Sequence, residues 1–166
     1  MRKWQLIFVV TVLCLSRACQ NGSTKETPVE TATQTEQAIS ALRGAYAAFN
    51  RNDIAAAVEP LDPQMEWTEP AEFPGGGTYH GHPGVMAYLT QSRAAWAEVS
   101  SEPERFIAAG NRIVVFVHAR VRPKGSTEWQ EVRLADVYTF RNGKAVRMQA
   151  FADRQEALRS VGIEER

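Results

Sequence analysis

EWQEVRLADVYTFRNGKAVRMQAFA, residues 128–152, is the stretch that decides the fold. Val132, Leu134, Asp136, Tyr138 and Phe140 alternate with Arg133, Ala135, Val137 and Thr139, the period of two that a β-strand imposes. Asn142-Gly143 breaks the run and Lys144 to Ala152 resumes it, so the spacing predicts a hairpin closed by a two-residue turn. Working upstream, Arg112 to Arg122 and Phe106 to Ala109 read as two more strands. Pro123-Lys124-Gly125 and Gly110-Asn111 separate them. The C-terminal half is an antiparallel meander.

Nearer the N-terminus the period changes. Gln37, Ile39, Leu42, Tyr46 and Phe49 recur every three or four residues, with Arg43 and Arg51 off that face, which predicts an amphipathic helix. Asn52-Asp53 caps a shorter helix that runs to Val58 and stops before Pro60. Met65 to Glu69 reads as a short strand and Pro74-Gly75-Gly76-Gly77 as a loop. Pro83 to Ala97 reads as a helix with proline in its first turn, and Asp153 to Val161 closes the chain as a last helix. Helices followed by a meander predict an α+β fold in which helices cover one face of a curved antiparallel sheet.

The first residues read as an address. Arg2 and Lys3 precede an apolar run from Leu6 to Leu15, too short to span a bilayer but suited to an export signal. Ser16 and Ala18 fit ordinary signal-peptide cleavage, while Cys19 fits, less regularly, the lipid-bearing cysteine of bacterial lipoproteins. Residues 1–18 are therefore expected to be a signal peptide, 19–34 a polar tether, 35–162 the folded domain and 163–166 a tail. The localisation implied is the periplasm or cell envelope, with a membrane tether through Cys19 as one of the two outcomes.

Composition narrows the function. The content is that of a globular protein, 44% hydrophobic and 23% charged. Losing Arg2, Lys3 and Arg17 would leave 16 of the 19 basic residues against 19 acidic ones, which argues against nucleic acid as a partner. Both cysteines, Cys14 and Cys19, precede the domain, so it has no disulfide and no cysteine nucleophile. His80 and His82 lack the further ligands a metal site needs, and the triple glycine lacks the Lys-Ser/Thr of a phosphate loop. No metal and no organic cofactor are expected.

Five segments in register, Tyr46 to Asp53, Leu61 to Pro70, Phe73 to Gly81, Asp136 to Lys144 and Asp153 to Leu158, resemble the SnoaL-like domain of the nuclear transport factor 2-like superfamily over residues 35–162. The resemblance implies a cone-shaped α+β barrel with a pocket between sheet and helices, and commonly a homodimer. Its relatives include ketosteroid isomerases and polyketide cyclases, but also members without chemistry, so fold does not fix function.

An aspartate in an apolar strand costs several kcal/mol unless it is paired or protonated, which singles out Asp136. A buried salt bridge to Arg120 or His118 is the structural alternative to a role in the pocket. By resemblance, Asp136 falls where ketosteroid isomerases keep a protonated acid and Glu69 where they keep their general base. Their hydroxyl donor would fall at Ala45, next to Tyr46. His118 with Asp136 resembles the acid/base pair of polyketide cyclases. Arg120 with Asp136 resembles epoxide hydrolases, except that Arg122 stands where those need a second aspartate. The resemblance turns the face bearing Phe116, His118 and Arg120 inward, so Asp136, His118 and Glu69 are the expected catalytic residues. Arg120, Trp67, Tyr138, Phe116, Phe151 and Trp96 are the expected ligand contacts. The ligand expected is a small apolar molecule undergoing cofactor-independent isomerisation, cyclisation or dehydration. The competing class is a non-catalytic module that binds a hydrophobic ligand or a partner protein.

Export has a direct check. N-terminal sequencing of the mature protein should start at or near Cys19, and an intact Met1 on a cytoplasmic product would overturn the assignment.

Overall fold

The computed structural model describes residues 28–164. The export segment and Cys19 lie outside them. Four helices, α1 (Pro28–Asn50), α2 (Ile54–Val58), α3 (Gly81–Ala94) and α4 (Arg154–Ser160), accompany six strands among the described residues. The strands are β1 (Leu61–Glu69), β2 (Gly77–His80), β3 (Glu98–Ala109), β4 (Arg112–Arg122), β5 (Gln130–Arg141) and β6 (Lys144–Phe151), arranged as one curved sheet in the order β2-β1-β6-β5-β4-β3.

The meander forms as its alternation and turns dictate. Asn142 and Gly143 both take positive φ, 51° and 74°, the pair of left-handed residues that a tight β5–β6 hairpin turn requires. Asp153 caps α4 by accepting from the backbone N–H groups of Gln155 and Glu156.

Several elements depart from expectation. The sheet is mixed, because β1 runs parallel to β6 while every other pair is antiparallel. Alternation marks a strand but says nothing about which distant strand it joins, and β1 joins the last strand of the chain. The loop expected over Pro74 to Gly77 ends one residue sooner, and Gly77–His80, for which no strand was expected, pairs with β1 as β2. β3 begins at Glu98 rather than Phe106, and a register shift between Pro103 and Arg105 accommodates the proline that hid its first half. α1 starts at Pro28, inside the stretch expected to be tether, with proline at the first helical position where its missing N–H costs nothing.

Both sheet faces are covered. Between the concave face and helices α1 to α3 lie Leu42, Met65, Val85 and Met148, all fully buried. Side chains of this size contribute about 1.5–3 kcal/mol each on burial. Against the other face, α4 packs Leu158, Ala157 and Val161 onto Val114, Phe116, Ala135, Val137 and Phe151. That second core explains why both alternating sets of β4 are apolar at its start.

Register decides which set faces inward. Asp136 sits opposite Val115, and His118 opposite Arg133. Directly paired residues share a face, so Asp136 shares the concave face with Val115, Val117 and Ala119. His118 and Arg120 point the other way. The expectation that Asp136 and His118 face each other fails by one residue of register, which moves every side chain of a strand across the sheet.

Candidate active site

A cavity of about 580 Å³ opens between the concave sheet face and α1 and α3. Val117, Ala119 and Val121 of β4 and Val132, Leu134, Asp136 and Tyr138 of β5 line one wall. Phe73, Pro74 and Gly75 of the loop between β1 and β2 line another. That loop is held in place: Tyr79 Oη donates to Gly75 O at 2.5 Å, and a Cβ on Gly76 would stand 2.2 Å from the Pro70 carbonyl oxygen. Only glycine fits there.

Two buried acids face this space. Asp136 Oδ2 accepts a 2.5 Å hydrogen bond from Tyr46 Oη, which in turn accepts one from Tyr138 Oη at 3.3 Å. Glu69 Oε1 accepts from Trp67 Nε1 at 2.7 Å, and Tyr88 donates a second hydrogen bond to the same carboxylate. The rings interlock: Tyr138 meets Tyr46 and Trp67 edge-on at 6.5 and 6.3 Å between centroids, and Trp67 lies 6.2 Å from Tyr88. Glu69 and Asp136 reach the same cavity from strands two positions apart in the sheet, on either side of β6.

Burial and the Glu69 charge push Asp136 up to about 7, opposed by the Tyr46 hydrogen bond. Burial also raises Glu69, against the lowering effect of its Trp67 and Tyr88 hydrogen bonds. Two factors separate the acids: Glu69 has two donors to stabilise its anion, whereas Asp136 has one donor and a neighbouring negative charge. The arrangement can therefore hold one carboxylate ionised beside one protonated near neutral pH, an acid and a base in one cavity.

Of the residues expected at the site, Glu69, Asp136, Trp67, Tyr138 and Trp96 line the cavity. His118 and Arg120 do not. His118 Nε2 lies 3.0 Å from Glu131 Oε2 and its Nδ1 3.9 Å from Glu104, while Arg120 pairs with Glu131 at 3.4 Å and covers the Trp129 ring at 4.8 Å. Neither can make the buried salt bridge to Asp136 that was its structural alternative. Phe116 and Phe151 belong to the core beneath α4, where the Arg154 guanidinium lies over the Phe116 ring.

Two hydroxyls beside the acids, those of Tyr46 and Tyr88, were not foreseen. Ala45 and Tyr46 both line the cavity, and the hydroxyl comes from Tyr46. The signal was present: Tyr46 shares the apolar helix face with Leu42 and Phe49, so its hydroxyl had to enter the core and find a partner there. Tyr88 carried the same signal, since it stands at helical spacing with the buried Val85 and Leu89.

Comparisons with known proteins agree with the fold. The profile of the SnoaL-like domain matches residues 42–148. An NTF2-like protein of unknown function from Burkholderia pseudomallei is 31% identical over 76% of this chain and 98% of its own, with a TM-score of 0.64. TerC, solved in co-crystals with polyporic acid, is 28% identical over 76% of this chain and 99% of its own, also with a TM-score of 0.64. A SnoaL-like polyketide cyclase from Jannaschia, at 14% identity, covers 84% of this chain and 98% of its own with a TM-score of 0.60, and shows the fold alone. No curated protein matches the chain.

The raised Asp136 has a thermodynamic signature. Folding takes up a proton wherever pH lies between the unfolded value of an aspartate, 3.8, and the folded value of about 7, so stability falls as pH rises through that window and levels off above it. The cost of the buried anion at high pH is on the order of 4 kcal/mol. Asp136→Asn should therefore be more stable than the parent in denaturant unfolding at pH 8, with the gain shrinking towards pH 4. Equal stability of the two proteins at pH 8 would contradict the raised value.

Proposed function

Since the chain belongs to the SnoaL-like family, we propose that its cavity performs cofactor-independent proton transfer on an apolar, enolisable small molecule. The observation that carries this reading is the pair of buried acids, Glu69 and Asp136, facing one largely apolar cavity with unequal sets of donors. Glu69, its anion held by Trp67 and Tyr88, takes a proton from a carbon next to a carbonyl. Asp136, protonated and braced by Tyr46, donates a hydrogen bond to the oxygen on which negative charge develops. Return of the proton from Glu69 to another carbon completes an isomerisation; its delivery to a leaving hydroxyl completes a dehydration; attack of the carbanion on a second carbonyl, whose oxygen then takes the proton back from Glu69, completes a cyclisation. Each group acts within the protonation state its surroundings favour.

The second reading, a non-catalytic module for a hydrophobic ligand, is favoured by one observation. His118 lies outside the cavity, so the imidazole that the cyclase comparison would supply as proton shuttle is absent from it. A relative co-crystallised with polyporic acid supports a small organic ligand under either reading. Export, by way of the apolar run before Cys19, and assembly as a homodimer are part of the same proposal, and both rest on sequence and resemblance.

A substrate-independent test is hydrogen–deuterium exchange. A panel of apolar ketones in D2O should exchange the protons beside their carbonyls faster with the protein than without. Glu69→Gln should lower that acceleration about 10²–10⁴-fold, the usual contribution of a general base, while circular dichroism stays unchanged. Exchange that survives in Glu69→Gln would remove Glu69 from the chemistry, and ligand binding with no exchange across the panel would favour the binding module.

A further inference from the structure

Charge along the cavity wall is one-sided. Glu69 and Asp136 stand at its polar end, Glu131 at its rim turns its carboxylate outward to His118 and Arg120, and among the described residues no lysine, arginine or histidine lines it. Seven aromatic rings do, among them Tyr46, Trp67, Tyr88 and Tyr138 around the two acids. The basic residues beside lining positions in the chain are engaged elsewhere: His118, Arg120 and Arg133 with Glu131 and Glu104, Arg122 with Glu98, Arg93 with the Phe49 carbonyl oxygen, and Arg43 over the Phe106 ring. Asp136 itself is 7% exposed; its Oδ2 is taken by Tyr46, and its Oδ1 has no hydrogen-bond partner among the described residues.

A site meant for carboxylates or phosphates supplies cationic or backbone N–H donors, and none of the described lining residues is cationic. Carboxylates set among aromatic rings attract the opposite charge, since a ring face is electronegative and adds to the pull of the anion on an ammonium group. An organic cation also answers the difficulty of burying Asp136, because its charge offsets the anion that the cavity otherwise disfavours. We propose that this cavity binds organic ammonium ions carried on an apolar body, with the cationic nitrogen seated beside Asp136 and Glu69 and the body lying along Val117, Leu134 and Val132.

Binding such a cation requires Asp136 to give up its proton to solvent. The groups facing it are Tyr46 from α1, Glu69 from β1, Tyr88 from α3 and Tyr138 from its own strand, and the three tyrosines stay neutral because burial raises them all. Cation affinity should therefore climb with pH up to about 7, where Asp136 ionises, and level off above it. Since proton donation needs Asp136 protonated, an ammonium ligand should also suppress any proton-transfer activity. Binding itself does not depend on that activity.

The test uses benzyltrimethylammonium, whose charge is independent of pH, and neopentylbenzene, its uncharged counterpart of the same shape. Binding of each to the folded domain is followed by ligand-observed NMR between pH 5 and 8. The cation should bind at least tenfold more tightly than the neutral compound at pH 8, and lose about tenfold per pH unit below 7, while the neutral compound shows no pH dependence. Asp136→Asn, with its fold verified by circular dichroism, should lose most of the preference and all of the pH dependence. Equal affinities at pH 8, or a preference untouched in Asp136→Asn, would overturn the inference. Ketone exchange measured on the same preparation before the cation is added separates the two proposals. Exchange without cation preference removes only this one, and cation preference without exchange removes only the catalytic reading.

Discussion

Burying a carboxylate on the central strand of the concave face is the constraint around which the rest of this site is arranged. Asp136 sits on β5 with the apolar side chains of β4 and β5 beside it and Tyr46 above it. In so dry a place an isolated charge is costly, and a protein has few remedies: a cation, several donors, or a proton. Among the described residues no cation reaches Asp136, and one tyrosine donates to it. The proton is the remaining remedy, and it makes Asp136 a donor where an ordinary aspartate would accept.

Glu69 shows the other solution in the same cavity. It is buried as well, yet the Trp67 indole and the Tyr88 hydroxyl both point at it. Its negative charge then reinforces the protonation of Asp136. The two environments are therefore coupled, and neither acid has its character alone. The aromatic cluster joins them physically, since Tyr138 packs edge-on against both Tyr46 and Trp67. A substitution in that cluster should disturb both acids together.

Much of the fold was legible because local rules sufficed. The hairpin at Asn142-Gly143, the cap at Asp153 and the amphipathic face through Leu42, Tyr46 and Phe49 each follow from a few neighbouring residues. Non-local matters were less legible. The parallel pairing of β1 with β6 and the half of β3 before Pro103 depend on partners far away in sequence. The site divided along the same line. Glu69, Asp136, Trp67, Tyr138 and Trp96 were found from residue type and resemblance, whereas His118, Arg120 and Phe116 were assigned to the wrong face. Alternation fixes which residues of β4 go together but not which set turns inward, and with a second core beneath α4 both sets are apolar near Val114 and Val115. Tyr46 needed only the argument that a tyrosine on a packed helix face must bring its hydroxyl to a partner.

Burial holds the proton on Asp136 far above the usual aspartate range, up to about pH 7. Carboxyl ¹³C chemical shifts of the labelled protein, followed from pH 3 to 9 and assigned with Asp136→Asn, measure this directly. One aspartate should titrate near 7 and be lost from the Asp136→Asn spectrum. Tyr46→Phe, which removes the hydroxyl that favours the anion, should move that titration higher still. An Asp136 that titrates near 4, with or without Tyr46, would contradict the account at its base.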